Sequence, residues 1–294
     1  MIRRAIRHVD AFTKRALEGN PAAVVDGEGL SAETMQLIAL NQHLSETVFL
    51  RPPESSGNHA HIRIFTPGTE LPFAGHPTIA ASHILVSEGR VQLDAERVVR
   101  LETGAGVIPV KVSGDADAPL YTMTQATPEF APSMIPRAAI ASAVGLDVRD
   151  IALDEDVSTG LYWRIAQVAS LEAMMRVRPN VAELLLIPHG LAIFCIGATV
   201  SDADIHVRAF APEAGVMEDP VTGSANGCIA ALIAKHELRP RRDGAIEYVA
   251  EQGIEMGQPG RVYARVTGSG DDISVQIGGN AVTVLRGELL LPDA

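Results

Sequence analysis

Cysteine is scarce in this chain: only Cys195 and Cys228 are present. Two thiols cannot build a disulfide framework, so both are expected to be reduced intracellular side chains. Aromatic residues make up 4%, too few for base-stacking platforms. Positive charge is also short, with 24 Lys and Arg against 36 Asp and Glu and a formal net charge of −12. That balance excludes the basic footprint a nucleic-acid-binding surface needs. Long apolar runs are missing as well: none reaches the roughly 18–20 residues that span a bilayer. The opening MIRRAIRH is a short basic cluster that leads straight into a strand-like VDAF, so it does not read as a secretory leader. The expectation is a cytoplasmic protein with neither a nucleic-acid nor a membrane partner.

What the chain does have is a globular mix, 47% hydrophobic and 20% charged over 294 residues, enough for one large core or two medium ones. It also has a repeat. RIFTPGTELPFAGHPTIAA, from Arg63, is echoed by RAFAPEAGVMEDPVTGSANGCIAALIA, from Arg208. Arg63, Phe65 and Pro67 return as Arg208, Phe210 and Pro212, each 145 positions later. Gly75 pairs with Gly223 at 148, so the second copy carries three extra residues before its glycine. Further on, RLETGAGVIPVKV resembles VAEQGIEMGQPGRVYARV. A period of half the chain is a duplicated domain rather than a solenoid, whose units run roughly 20–50 residues.

Between the copies, TPEFAPSMIPR holds prolines 128, 132 and 136 and favours an extended linker over a regular element. The boundary is expected near 125–135. The N-terminal half is then 1–127, joined by the C-terminal segment 280–294, and the other half is 128–279. Short alternating runs (HIRIF, GVIPVKV, GRVYARV, ISVQIG, AVTVLRG) predict strands. Helices are expected from Ser31, a capping residue, to about His43, and from Arg137 to about Val144. Two further helices begin at the glycines, HPTIAASHILV after Gly75 and SANGCIAALIA after Gly223. Neither has a polar face, and a helix apolar all round is buried. The predicted class is α+β, with two pseudo-symmetric domains. Each is a curved, mostly antiparallel sheet or barrel wrapped around a central helix.

A helix start leaves backbone N–H groups unpaired and favours negative charge, so a dry one is an anion site. Two such starts in the cleft between the halves would suit a small carboxylate-bearing substrate. His76 follows Gly75, Asp219 precedes Gly223 by four residues, and Ser224 follows it. Each has a blander role: His76 bonding a nearby carbonyl, Ser224 capping, Asp219 forming a turn before Pro220. Their recurrence at equivalent ends of a repeat favours the site.

HLSETVFL, RIFTPGTELPFAGHPT and MEDPVTGSANG, with VDAFTKRALEGNPAAVV and EQGIEMGQPGRVYARV, together resemble the PhzF-like family of phenazine-biosynthesis isomerases. The resemblance implies a diaminopimelate-epimerase-type fold and a homodimer. Racemases of that broader fold carry a cysteine at each helix start, where this chain has Ala74 and Thr222, which disfavours a two-thiol racemase. By resemblance the acid–base is Glu46, in LSET, assisted by His76, Asp219 and Ser224. Ser45, Gly75, Thr222 and Gly223 line the substrate. From residues alone Glu46 would pass for an ordinary surface carboxylate. Arg63 and Arg208 are expected to be structural partners for carboxylates, and Glu70 and Glu218 are left without assigned roles.

The chemistry so implied is proton abstraction by Glu46 and its return elsewhere on an unsaturated cyclic carboxylate, like trans-2,3-dihydro-3-hydroxyanthranilate isomerase. One carboxyl group can cycle between base and acid. No cofactor is expected. No metal is expected either, since His59 and His61 in HAH lack further ligands. Rival readings are an epimerase with two non-thiol bases, a non-catalytic small-anion binder, and a hydrolase acting through Ser224.

Overall fold

The computed structural model describes residues 1–292 and divides the chain into two compact units. One runs from Met1 to Met123 and resumes at Gly278; the other is Thr124–Ile277. The first unit contains β1 (Ile2–Ala11), β2 (Asn20–Asp26), α1 (Ala32–Gln42), β3 (Glu46–Arg51), β4 (Ala60–Phe65) and β5 (Glu70–Leu71). It continues with α2 (Gly75–Ser87), β6 (Val98–Thr103), β7 (Gly106–Ser113) and β8 (Leu120–Thr124). The second unit holds β9 (Glu129–Ala131), α3 (Arg137–Ala143), β10 (Ile151–Ser158), β11 (Tyr162–Val168), α4 (Leu171–Met175) and α5 (Val181–Leu184). Then follow β12 (Leu191–Ile196), β13 (Ile205–Ala211), β14 (Val216–Asp219), α6 (Gly223–Lys235), β15 (Ala245–Gln252), β16 (Gly260–Thr267) and β17 (Ser274–Gly279). β18 (Ala281–Leu291) returns to the first unit and pairs with β1. The protein is an α+β fold.

The duplication shows in the order of strand pairing. In the first unit, β18–β1 and β1–β2 are antiparallel, β2–β3 parallel, β3–β4 antiparallel, β4–β6 parallel and β6–β7 antiparallel. In the second, β9–β10 and β10–β11 are antiparallel, β11–β12 parallel, β12–β13 antiparallel, β13–β15 parallel and β15–β16 antiparallel. Register repeats too: His61 sits opposite Glu102 as His206 sits opposite Glu251. Parallel neighbours need a crossover longer than a hairpin: α1 and α2 lie in the crossovers of the first unit, and α4 with α5, then α6, in those of the second.

Both helices are wrapped by strands. α2 packs on β1, β2, β3 and β18, and α6 on β10, β11 and β16. Residues 76–85 of α2 are all buried, as are eleven of the thirteen residues of α6. This is what an all-apolar helix requires. Two smaller cores flank these centres. Met35, Ile38 and Ala39 of α1 meet Phe49 and Phe65 in one. Helices α3 to α5 pack on β10 to β13 in the other.

Ser31 caps α1 by accepting from the Thr34 amide, and His43 ends the helix in the left-handed region. One sequence expectation needs correcting. The stretch TPEFAPSMIPR is not wholly a linker, because Glu129–Ala131 form β9 on β10. Proline prefers extended backbone and is tolerated at strand edges, so a three-residue strand fits between Pro128 and Pro132. Helices α4 and α5 were not anticipated. They are five and four residues long, too short to show a helical period, and are held by the Ser170 and Asn180 caps and by burial of Met174 and Leu184.

Candidate functional site

In the first unit the chain leaves α1 through His43 and enters β3 at Glu46. β3 lies between β2 and β4, with Ala22 opposite Glu46 and Phe65 opposite Thr47. Thr47, Val48, Phe49 and Leu50 are buried, so the strand is clamped on both sides and its first residue is held with it. The TPGT turn after β4 is tied to α1 by Gln36, whose amide donates to the carbonyls of Thr66 and Pro67. That turn leads through β5 to Ala74, the N-cap of α2, so Gly75 and His76 are its first two residues.

The outcome is a carboxyl and an imidazole face to face. Glu46 Oε2 lies 3.2 Å from His76 Nε2, with side-chain exposures of 17% and 8%. Burial raises the Glu46 carboxyl above the ordinary value, and the neighbouring Ser45 hydroxyl works the other way. A desolvated carboxyl holds its proton to higher pH and is a stronger base once ionised. The Ser45 hydroxyl is itself buried. No side chain caps α2, and its dipole favours negative charge near its first turn.

In the second unit β14 ends at Asp219 and α6 starts one turn later, with Thr222 as N-cap and Gly223 as first residue. The Thr222 hydroxyl donates to Asp219 Oδ2 at 2.5 Å. Ser224 is not a cap: its hydroxyl accepts from the indole N–H of Trp163 at 3.0 Å. Sequence reasoning thus brought together Glu46, Ser45, Gly75 and His76 in one unit and Asp219, Thr222, Gly223 and Ser224 in the other. It missed Trp163, Asn226 and Gln252, which hold the second group. Trp163 is the only tryptophan in the chain, and Gln252 lies in the EQG stretch of the repeat, so both had a signal of sorts.

Other groups find different employment. Arg63 grips Glu70 with two bonds of 2.6 Å, and Arg208 grips Glu218 with two of 2.8 Å. Each guanidinium also lies over a phenylalanine two residues on. These four residues are matched ion pairs. Burial lifts the thiols of Cys228 to about 11 and Cys195 to about 12, so neither serves as a thiolate base at neutral pH. His61 corrects an expectation, because Glu54 and Glu102 offer oxygens near its ring. Glu102 is already engaged, accepting from the amides of Glu54 and Ser55 and from Asn58, and so organises that loop. His59 accepts from the Arg100 amide.

Residues 9–287 match the PhzC-PhzF family model, described as phenazine biosynthesis-like protein. This chain belongs to that family. It is 35% identical over 286 residues to the trans-2,3-dihydro-3-hydroxyanthranilate isomerase of Pseudomonas aeruginosa, covering 96% of this chain and 98% of that one. It is 34% identical to an uncharacterized isomerase of Clostridium acetobutylicum, covering 96% and 97%. Among solved structures, a Bacillus anthracis phenazine biosynthesis protein of the PhzF family matches with a TM-score of 0.90 and 30% identity over 99% of this chain and 100% of that one. With such full-length relatives, this PhzC-PhzF protein is an isomerase. Among the described residues no helix is long and apolar enough to cross a membrane.

Proposed function

We propose that this isomerase moves a proton between carbons of a small unsaturated cyclic carboxylate, as the name of the Pseudomonas relative indicates for that enzyme. The observation that carries the reading is the desolvated Glu46 carboxyl, 3.2 Å from the His76 ring. Glu46 takes a proton from carbon, and the electron pair left behind conjugates toward the substrate carboxylate. The carboxyl, now an acid, returns the proton to another carbon of the same conjugated system. Substrate charge is unchanged overall and nothing is oxidised, so the step needs no external reactant. His76 and the Gly75 amide support the developing charge, and Ser45 contacts the substrate. In the same reading Asp219, Thr222, Gly223 and Ser224 complete the catalytic and binding set. The protein works without a cofactor, in the cytoplasm and as a homodimer; two free buried cysteines accord with a reducing compartment.

The test uses trans-2,3-dihydro-3-hydroxyanthranilate in deuterium oxide, followed by NMR. Wild type is expected to give the isomer with label exchange between carbons. Glu46→Gln is expected to lose on the order of 10²-fold or more, the usual range for an acid–base group. Full turnover by Glu46→Gln would refute the assignment. Label at one inverted centre would make the protein an epimerase, and binding without exchange a small-anion binder.

A further inference from the structure

Gln252 is fully buried at the end of β15 and makes four hydrogen bonds around the start of α6. Its Oε1 accepts from the Thr222 amide at 3.1 Å and from Asn226 Nδ2 at 2.9 Å. Its Nε2 donates to the Asp219 carbonyl at 2.9 Å and to Thr222 Oγ1 at 3.1 Å. Two of those partners are backbone groups whose polarity is beyond question: an N–H can only donate and a C=O can only accept. They fix which end of the amide is oxygen. Thr222 Oγ1 must then accept from Gln252, which leaves its own single proton for Asp219 Oδ2, 2.5 Å away. Asn226 must likewise present its NH₂, which also donates to the Thr222 carbonyl at 2.9 Å.

We propose that Gln252 is a positioning residue for this isomerase: its orientation directs the Thr222 hydroxyl proton onto Asp219 and holds that carboxylate against the cap of α6. The inference rests on the role given to Asp219 under the proposed function. The repeat supplies a contrast. Thr103 follows Glu102 as Gln252 follows Glu251, yet Thr103 serves its own turn, donating to the Gly106 carbonyl and accepting from the Ala105 amide. The first unit's cap is Ala74, which has no hydroxyl to direct. The amide is therefore a device of the second copy alone.

Gln252→Glu preserves shape and the accepting half but replaces the donating NH₂ with an acceptor. The Thr222 hydroxyl then turns to the new carboxylate and away from Asp219. In proton NMR of the full chain, the wild-type Thr222 hydroxyl is expected as a slowly exchanging downfield resonance, identified by its absence in Thr222→Val and its persistence in Thr222→Ser. It should be lost or shifted in Gln252→Glu and in the apolar Gln252→Met, which serves if the charged variant does not fold. With trans-2,3-dihydro-3-hydroxyanthranilate as probe, kcat should fall about 10²-fold, the cost of misplacing a group by about 1 Å, with KM little changed. An unmoved resonance in folded Gln252 variants, or a moved resonance with kcat intact, would overturn the proposal. If wild type leaves the probe untouched, the substrate reading fails, and the resonance alone then decides whether the relay exists.

Discussion

Consider His206→Gln. His206 is fully buried between two carboxylates, with Nδ1 2.7 Å from Glu251 and Nε2 3.0 Å from Glu255. Burial alone would push the ring's pKa down, but the bonds to Glu251 and then Glu255 outweigh it and lift the pKa to about 9. The ordinary value is 6.5. At 1.36 kcal/mol for each pH unit between them, the charged ring contributes about 3 kcal/mol to the folded state. The sign follows from the raised value. The contribution is whole below pH 6.5 and is lost as pH rises through about 9. Glu251 and Glu255 are also buried, a penalty outweighed by His206 together with Thr199 at Glu251 and Arg208 at Glu255, so their values are lowered; their share is present above the usual carboxylate range and lost on acidification. Denaturant unfolding at intervals from pH 6 to 9.5 should show wild-type stability falling across the window of about 6.5 to 9. His206→Gln should be less stable by about 3 kcal/mol at the acid end, near the 3–5 kcal/mol typical of breaking a buried pair. The two proteins should converge at the alkaline end. Parallel curves for wild type and variant would refute the argument, because the slope would then come from other groups.

Two further predictions concern stability. Burial raises the Glu46 carboxyl, so its ionised form is a cost to folding that is present above its folded pKa and absent below the ordinary carboxylate value. Glu46→Gln should therefore melt higher than wild type at pH 8 while losing activity, and calorimetry showing a lower melting temperature would contradict this. The twin arginines offer a paired test. Arg208 and Glu218 have side-chain exposures of 6% and 16%, against 22% and 41% for Arg63 and Glu70. Arg208→Ala should cost about 3–5 kcal/mol and Arg63→Ala about 0–1 kcal/mol, read from denaturant midpoints; equal losses would show that burial does not set the difference.

Much of this protein is legible from its residues alone. The repeat of Arg, Phe and Pro, then Gly and an apolar run, announces the duplication, because each copy must solve the same problem of returning a buried helix from a strand. Ser31 marks the start of α1, and the two all-apolar helices declare themselves central because they have no face to give to water. The short helices α4 and α5 and the strand inside TPEFAPSMIPR escape such reading, because their backbone is decided by the neighbours they pair with and not by local pattern. Glu46 is similar: nothing in its own neighbourhood separates it from a surface carboxylate, and its importance was inferred from resemblance.

What the chain order determines, then, is which segments alternate, which are wholly apolar, and that two halves share one plan. Proximity across sequence is a different matter. His76 comes to lie 3.2 Å from Glu46, thirty positions earlier, Gln252 reads the polarity of Thr222 and Asp219, and Trp163 occupies the Ser224 hydroxyl. Those pairings exist only because crossover helices carry one strand's end to another's. The raised Glu46 carboxyl follows from the same packing, since desolvation belongs to the folded surroundings and to no residue by itself.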